Sequence, residues 1–239
     1  MKREIVWREE QSEALTNATT EETFFAAIAK AARDLGFEYC AYGLRMPLPV
    51  SNPKMLLLSN YSTEWQQRYA SENYLAVDPT VAHGIQSAIP VVWSPQLFAS
   101  CPDFWTDASG HGLKHGWAQS SFDAKSNVGM LTLARSQEEI TLTELRENSV
   151  QLSWLAQAVH EGGVRLASMK RDAEPAITLT AREVEVLRWT ADGKTSGEVA
   201  QIMDISERTV NFHITNSLVK LGVVNKTAGV VKAAMLRLL

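Results

Sequence analysis

The feature that most constrains this chain is the punctuation of its C-terminal quarter. Thr180 can cap a helix whose third residue is Glu183, a pairing that satisfies two otherwise orphaned amides, and Gly193 is placed to stop that helix. Ser196 opens a short second helix ending near Met203. The turn Asp204-Ile205-Ser206 leads into a third helix over 207–221, stopped by Gly222, and a fourth is predicted from Lys226 to Leu239. Short helix, tight turn, longer helix is the helix-turn-helix layout, whose second member enters the DNA major groove.

Helical spacing puts Val210, Ile214, Leu218 and Leu221 on the buried face of that third helix. Arg208, Asn211, Thr215 and Asn216 fall on other faces. Arg suits guanine and Asn suits adenine, so these are candidate base readers. Lys194, Thr195 and Lys226 flank the motif and could hold phosphates. A solvated surface helix would show the same pattern, so charge matters. Residues 176–239 carry eight basic and six acidic side chains, a balance of +2, which leaves −6 on the first 175 residues of a chain whose net charge is −4. A mildly basic tail on an acidic body is compatible with nucleic acid and does not by itself establish it.

Upstream, helices and strands alternate. Thr19-Thr20-Glu21-Glu22 reads as a capping box, followed by Phe24, Phe25, Ile28, Ala31, Ala32 and Leu35 at helical spacing, with Gly36 as the stop. Strand-like runs cover 37–44 and 55–61, and a helix is predicted from Thr63 to Glu72 with Trp65 and Tyr69 on one face. Segments 116–122 and 128–134 read as a hairpin around the turn-rich run 123–127. Thr141 opens a long helix to Met169, with Glu144 in capping-box position and Gly162 and Gly163 weakening its last turns. The expected fold is an α+β N-terminal α-β-α sandwich, an antiparallel sheet flanked by helices, plus an all-α four-helix helix-turn-helix C-terminal domain. The boundary falls in the polar, proline-bearing stretch from Lys170 to Ala176, giving domains 1–169 and 179–239 with a linker at 170–178.

Nine of the chain's 19 aromatics lie in the 57 residues from Tyr61 to Trp117. Tyr and Trp around an apolar interior suit a small amphiphilic ligand, and they also suit a plain aromatic core. Asp78, in Ala76-Val77-Asp78-Pro79-Thr80, sits among apolar neighbours with no cation nearby in sequence. A ligand N–H would satisfy such a carboxylate if it is buried, and an ordinary Asp-Pro turn is the simpler account.

Two sets of residues carry a family resemblance. Leu179-Thr180-Ala181-Arg182-Glu183, Gly193-Lys194-Thr195 and Ile205-Ser206-Glu207-Arg208-Thr209-Val210-Asn211-Phe212-His213 resemble the DNA-binding domain of LuxR-type regulators, with Glu183, Leu187 and Gly193 at its most constant positions. The run from Asn60 to Tyr69, then Val77-Asp78-Pro79-Thr80, Val92-Trp93 and Gly112-Leu113-Lys114-His115-Gly116 resemble the acyl-homoserine-lactone-binding domain of LuxR-type quorum-sensing receptors. No acidic pair and phosphoacceptor of a receiver domain is present. The resemblance implies that Trp65 donates to the lactone carbonyl, that Asp78 accepts the amide N–H, and that Tyr61 bonds the acyl carbonyl. It places Thr80 and Thr132 near the ligand, and Tyr69, Trp93, Phe104 and Trp105 around the lactone. Tyr42, Leu44, Leu57 and Val81 are assigned to the acyl-chain side. Two departures, Ala118 after Trp117 and Gln66, bear on the chain end rather than on the lactone.

The implied protein is a transcription factor, not an enzyme. Its partners are an N-acyl-homoserine lactone, a second copy of itself and an imperfect palindrome in promoter DNA; an orphan regulator answering to another small molecule or to a protein partner is the alternative. Cys40 and Cys101 cannot make a disulfide framework. His111 and His115 lack a third ligand, so neither a metal nor a cofactor is expected. No export signal or membrane span is read, and the expected location is the cytoplasm.

Overall fold

The computed structural model describes residues 2–169 and 177–239, with side chains from residue 5 on. The expected linker therefore lies mostly outside the described residues. The chain divides into two compact units, the first made of residues 1–46, 54–123 and 127–171 and the second of residues 172–239 together with 47–53 and 124–126. Among the described residues no helix is long and apolar enough to cross a membrane.

The first unit runs α1 (Lys2–Asn17), α2 (Glu21–Asp34), β1 (Tyr39–Arg45), β2 (Met55–Ser59), α3 (Thr63–Ser71), a 3-10 turn (Tyr74–Ala76), α4 (Pro79–Gln86), β3 (Val91–Val92), α5 (Pro102–Gly110), β4 (His115–Phe122), β5 (Val128–Arg135) and α6 (Leu142–Met169). Its sheet is antiparallel throughout, in the order β2-β1-β5-β4-β3. The hairpin, the paired face of Trp65 and Tyr69, and the long sixth helix all form where the sequence pattern places them. Helices α1, α4 and α5 and the short β3 are additional.

Local chemistry explains the differences. The box before α2 is one residue later than expected: the Thr20 hydroxyl accepts from Thr23 N, and the Thr23 hydroxyl accepts from Thr20 N, both at 3.2 Å. A hydroxyl closes the loop as well as a carboxylate, leaving Glu21 and Glu22 beside the positive end of the helix. At α6 the Thr141 hydroxyl caps Glu144 N. The Glu144 carboxylate turns instead to Arg135, at 2.8 and 2.7 Å. That guanidinium also donates to the carbonyls of Glu138, Glu139 and Gly36 and lies 5.6 Å from the Phe37 ring centroid.

The sheet has two unlike faces because side chains alternate along each strand. One face presents Cys40, Tyr42, Leu44, Leu131, Leu133 and Trp117 to α2 and α6, forming the main core with Phe24, Ile28, Leu152, Leu155 and Val159. Burial pushes the Cys40 thiol pKa up to about 12, so it sits there as a neutral apolar residue. Tyr42 and Leu44 thus belong to the helix-packed core, not to the acyl-chain side assigned above. Both strand faces are buried, so hydrophobicity alone could not fix their parity.

Gly162 and Gly163 do not end α6. A Cβ on Gly162 would meet Phe24 Cε2 at 2.5 Å, and one on Gly163 would meet Tyr42 Cε1 at 2.5 Å. Their small size lets the helix lie close against α2 and the sheet. The phenol of Tyr42 bonds His160 Nδ1 in this layer at 3.3 Å, and burial holds the His160 pKa below its usual value.

The second unit is four helices: α7 (Ala181–Ala191), α8 (Ser196–Met203), α9 (Glu207–Leu221) and α10 (Lys226–Met235). Thr180 with Glu183, and Thr195 with Glu198, close capping boxes, and Ser206 and Asn225 cap the last two helices. Asp204 at φ 52° makes the tight turn between α8 and α9, and Gly222 at φ +63° ends α9. We expect Gly163→Ala to lower the stability of the first unit by about 1–3 kcal/mol through overpacking against Tyr42. A thermal melt equal to wild type would refute this account of the close approach.

Candidate functional site

On its other face the sheet carries small side chains. The registers align Ser59, Ala41, Thr132, Ala118 and Val91 in one row across all five strands. No side chain in that row is larger than valine. Over this face sits the second aromatic cluster, built from Trp65, Tyr74, Phe98, Phe104, Ala108, Leu113 and Ala134, with Tyr39, Tyr61, Tyr69, Trp93 and Trp105 packed against it.

Helices position these rings. Ser62 caps α3 through Trp65 N, which fixes the register that puts Trp65 and Tyr69 side by side, with centroids 5.8 Å apart. Pro102 at the first position of α5 aligns Phe104 and Trp105. Phe104 stands 4.9 Å from Tyr74 and 5.8 Å from Trp65, while Trp105 stacks on Phe98 at 4.4 Å. Tyr61 meets Tyr39, which rises from the sheet, at 6.3 Å. Trp93 lies across Gly116, where no side chain could fit. Its backbone N–H donates to Gly116 O at 2.8 Å and prolongs the sheet edge. Gly112 instead takes a positive φ of 85° in the turn before β4.

Asp78 is both a turn residue and a buried carboxylate. It is 9% exposed and caps α4: Oδ1 accepts from Thr80 N at 2.8 Å and from Thr80 Oγ1 at 2.6 Å. Tyr69 donates to Oδ2 at 3.0 Å. Burial raises the Asp78 pKa, and the donors from Thr80 and Tyr69 only partly offset it. Tyr69 and Tyr61 are pushed up by burial first and then by neighbouring negative charge, including Asp78, so both phenols keep their protons. The expected ligand set, Tyr61, Trp65, Tyr69, Asp78, Thr80, Trp93, Phe104, Trp105 and Thr132, thus falls on one side of one sheet.

Two buried polar atoms in this region have no partner among the described residues: Trp93 Nε1 and Ser120 Oγ. Each unsatisfied group costs about 1–3 kcal/mol, a cost that a polar guest within reach would relieve. Ser120, which shares this sheet face and packs against Gly84 of α4, carried no signal in the sequence.

In the second unit α9 buries Val210, Ile214, Ser217 and Leu221 and half-buries Leu218. Arg208, Asn211 and Thr215 are exposed, Asn216 is half-buried, and Phe212 stands 60% exposed on the same outward side. Lys194 and Lys226 are exposed. The Thr195 hydroxyl is engaged with Glu198 as the cap of α8. Glu183, 3% exposed, receives Lys220 Nζ at 2.7 Å and so ties α7 to α9. Burial works to raise its pKa, but the Lys220 and Thr180 hydrogen bonds win and hold it below the usual value.

Comparison with known proteins gives one consistent result. Residues 20–162 match the autoinducer binding domain, and residues 177–233 match the bacterial regulatory proteins of the luxR family. The transcriptional activator protein AnoR of Acinetobacter nosocomialis is 43% identical over 235 residues, covering 98% of this chain and 99% of AnoR. A crystal structure of Escherichia coli SdiA superposes with a TM-score of 0.79 at 31% identity, covering 98% of both chains. SdiA in complex with octanoyl-rac-glycerol gives 0.77 at 31% identity, covering 97% of this chain and 95% of that one.

Two substitutions separate the roles of Asp78. Its raised pKa means that the unliganded fold loses stability as pH rises through the Asp78 titration, because the charge is buried. Asp78→Asn keeps a good helix cap without the charge and should melt at or above wild type at neutral pH. Asp78→Ala also loses the cap, worth about 0.5–2 kcal/mol, and should melt below Asp78→Asn; the reverse order in calorimetry would contradict the assignment. At the other unit, the depressed Glu183 pKa gives stability that is present at neutral pH and lost as pH falls through the carboxylate range. Glu183→Gln should therefore flatten the acid-side loss of melting temperature.

Proposed function

This chain belongs to the LuxR family of bacterial regulatory proteins, and from that premise we propose that it is a quorum-sensing transcription factor gated by an N-acyl-homoserine lactone. It joins an autoinducer-binding domain to a DNA-binding helix-turn-helix domain. In this reading the domains are 1–169 and 179–239 with a linker at 170–178, and the protein works in the cytoplasm as a homodimer.

The observation that carries the ligand assignment is Asp78. It is a buried acceptor whose Oδ2 takes the hydrogen bond of the Tyr69 phenol. A carboxylate oxygen can accept more than one, so an amide N–H can share it. Trp65 would donate its indole N–H to the lactone carbonyl and Tyr61 would bond the acyl carbonyl. Tyr69, Trp93, Phe104 and Trp105 would enclose the lactone ring, with Thr80 holding Asp78 in place. The acyl chain would run along the small row that includes Thr132, whose hydroxyl could take a further polar contact.

Ligand burial then drives the response. A guest that fills one face of the sheet stabilises the folded state by mass action, by about 2.7 kcal/mol at 100 times its dissociation constant. The stabilised unit dimerises through α6, with α10 contributing in the second unit. The two copies of α9 then meet half-sites about one helical turn apart in an imperfect palindrome. Arg208, Asn211, Thr215 and Asn216 face the bases, while Lys194, Thr195 and Lys226 hold phosphates.

One observation favours a second ligand class on the same site. SdiA, a structural neighbour, is known in complex with octanoyl-rac-glycerol, which has an acyl chain but no amide. The two classes separate at Asp78, since only the lactone offers it an N–H.

We expect N-octanoyl-homoserine lactone to raise the melting temperature of the full-length protein, and Asp78→Asn to remove that rise while sparing any rise given by octanoylglycerol. No shift from any acyl-homoserine lactone would overturn the reading. Trp65→Phe deletes the indole donor and should weaken the dose response by about 1 kcal/mol, roughly fivefold, in a reporter assay. Lys194→Ala should weaken specific and scrambled DNA equally in gel shifts.

A further inference from the structure

Sequence reasoning pairs Asn211 with adenine, but the hydrogen bonds around it point elsewhere. Lys226 Nζ donates to Ser196 Oγ at 2.7 Å, and Ser196 Oγ donates to Asn211 Oδ1 at 2.8 Å. The chain of donors runs one way for a chemical reason. A lysine ammonium has only donors, so Ser196 must accept from it, and the single hydroxyl proton then needs an acceptor of its own. Ser196 is 8% exposed at the start of α8, so water is not a ready alternative. Among the described contacts that acceptor is the Asn211 carbonyl.

We propose that this relay fixes Asn211 as a donor-only base reader, so that the recognition helix selects a keto base, guanine or thymine, at the position Asn211 faces. The inference rests on the reading of α9 as the helix that enters DNA. Adenine offers the major groove an acceptor at N7 and a donor at N6, and Asn reads both only when its carbonyl and its NH2 face the base together. Here the carbonyl is turned to Ser196, which leaves the planar amide to present NH2 alone. Adenine leaves that NH2 only N7, with its own N6 donor set against it, whereas guanine offers acceptors at N7 and O6 and thymine offers one at O4 with no donor at either. Lys226 keeps two N–H donors for a phosphate while holding the relay. Ser196 and Lys226 are thus positioning residues that set base preference without touching a base.

The test uses full-length wild type, Ser196→Ala, Lys226→Met and Asn211→Ala, produced with acyl-homoserine lactones and checked for folding by circular dichroism. Each is equilibrated with duplexes carrying 20 randomised central positions, and the bound DNA is sequenced. Asn211→Ala should erase the preference at one position per half-site. In wild type that position should be guanine or thymine, favoured about tenfold over adenine. Ser196→Ala frees the carbonyl and should admit adenine there. Lys226→Met, an exposed change, should do the same in part if Ser196→Ala proves unfolded. Adenine at that position in wild type would overturn the proposal, and so would unchanged base preferences in both relay variants. Wild type that enriches no sequence would remove the regulator reading and the relay with it, an outcome distinct from enrichment of the wrong base.

Discussion

A β-strand sends successive side chains to opposite faces, so each central strand here serves two layers with opposite needs. In β1 the residues Cys40, Tyr42 and Leu44 build a core against α2 and α6, while Tyr39, Ala41 and Gly43 lie on the opposite face, where Tyr39 packs against the aromatic cluster. The first set is bulky and the second shrinks toward the middle of the sheet. In the row through Ala41, Thr132 and Ala118 the strands set small residues directly beside the bulky ones of the other face. That division lets one side of the sheet hold a packed scaffold, with glycines at 129, 162 and 163 admitting Tyr42, Phe24 and His160. The other side can then answer to a guest without the scaffold being rebuilt.

Asp78 shows how the two demands meet in one residue. As a helix cap it belongs to the scaffold, because Thr80 N and Thr80 Oγ1 both end on Oδ1. As a buried acceptor it belongs to the site, through the Tyr69 phenol on Oδ2. The plain reading of an Asp-Pro turn describes Oδ1, and Oδ2 is the oxygen that the proposed ligand would share with Tyr69.

Much of this was legible in the residues, and the failures share a cause. Caps and stops are local, so the four C-terminal helices, the hairpin and the third helix could be read from Thr180, Ser206, Gly222 and the turn at 123–127. Helix α1 could not. It is held by contacts distant in sequence: Trp7 edge-on to Trp154, Gln11 reaching Asp34, and Arg165 donating to Leu15 O. The assignment of Tyr42 and Leu44 failed because strand parity needs the partner strands. The hydrogen-bond partners of Asn211 were hidden too, because Ser196 and Lys226 lie 15 residues away on either side. The crowding of aromatics between Tyr61 and Trp117 could suggest a site, but only the sheet register revealed the row of small residues across the strands.

The buried guanidinium at the end of β5 has a mechanical consequence. Arg135 closes the strand that carries Thr132, and its five hydrogen bonds end on the loop carbonyls at 36, 138 and 139 and on the first turn of α6. Strand and helix are thereby clamped at that corner through one side chain, with the intervening loop carbonyls held by the same guanidinium, so the end of β5 and the start of the longest helix form a single joint.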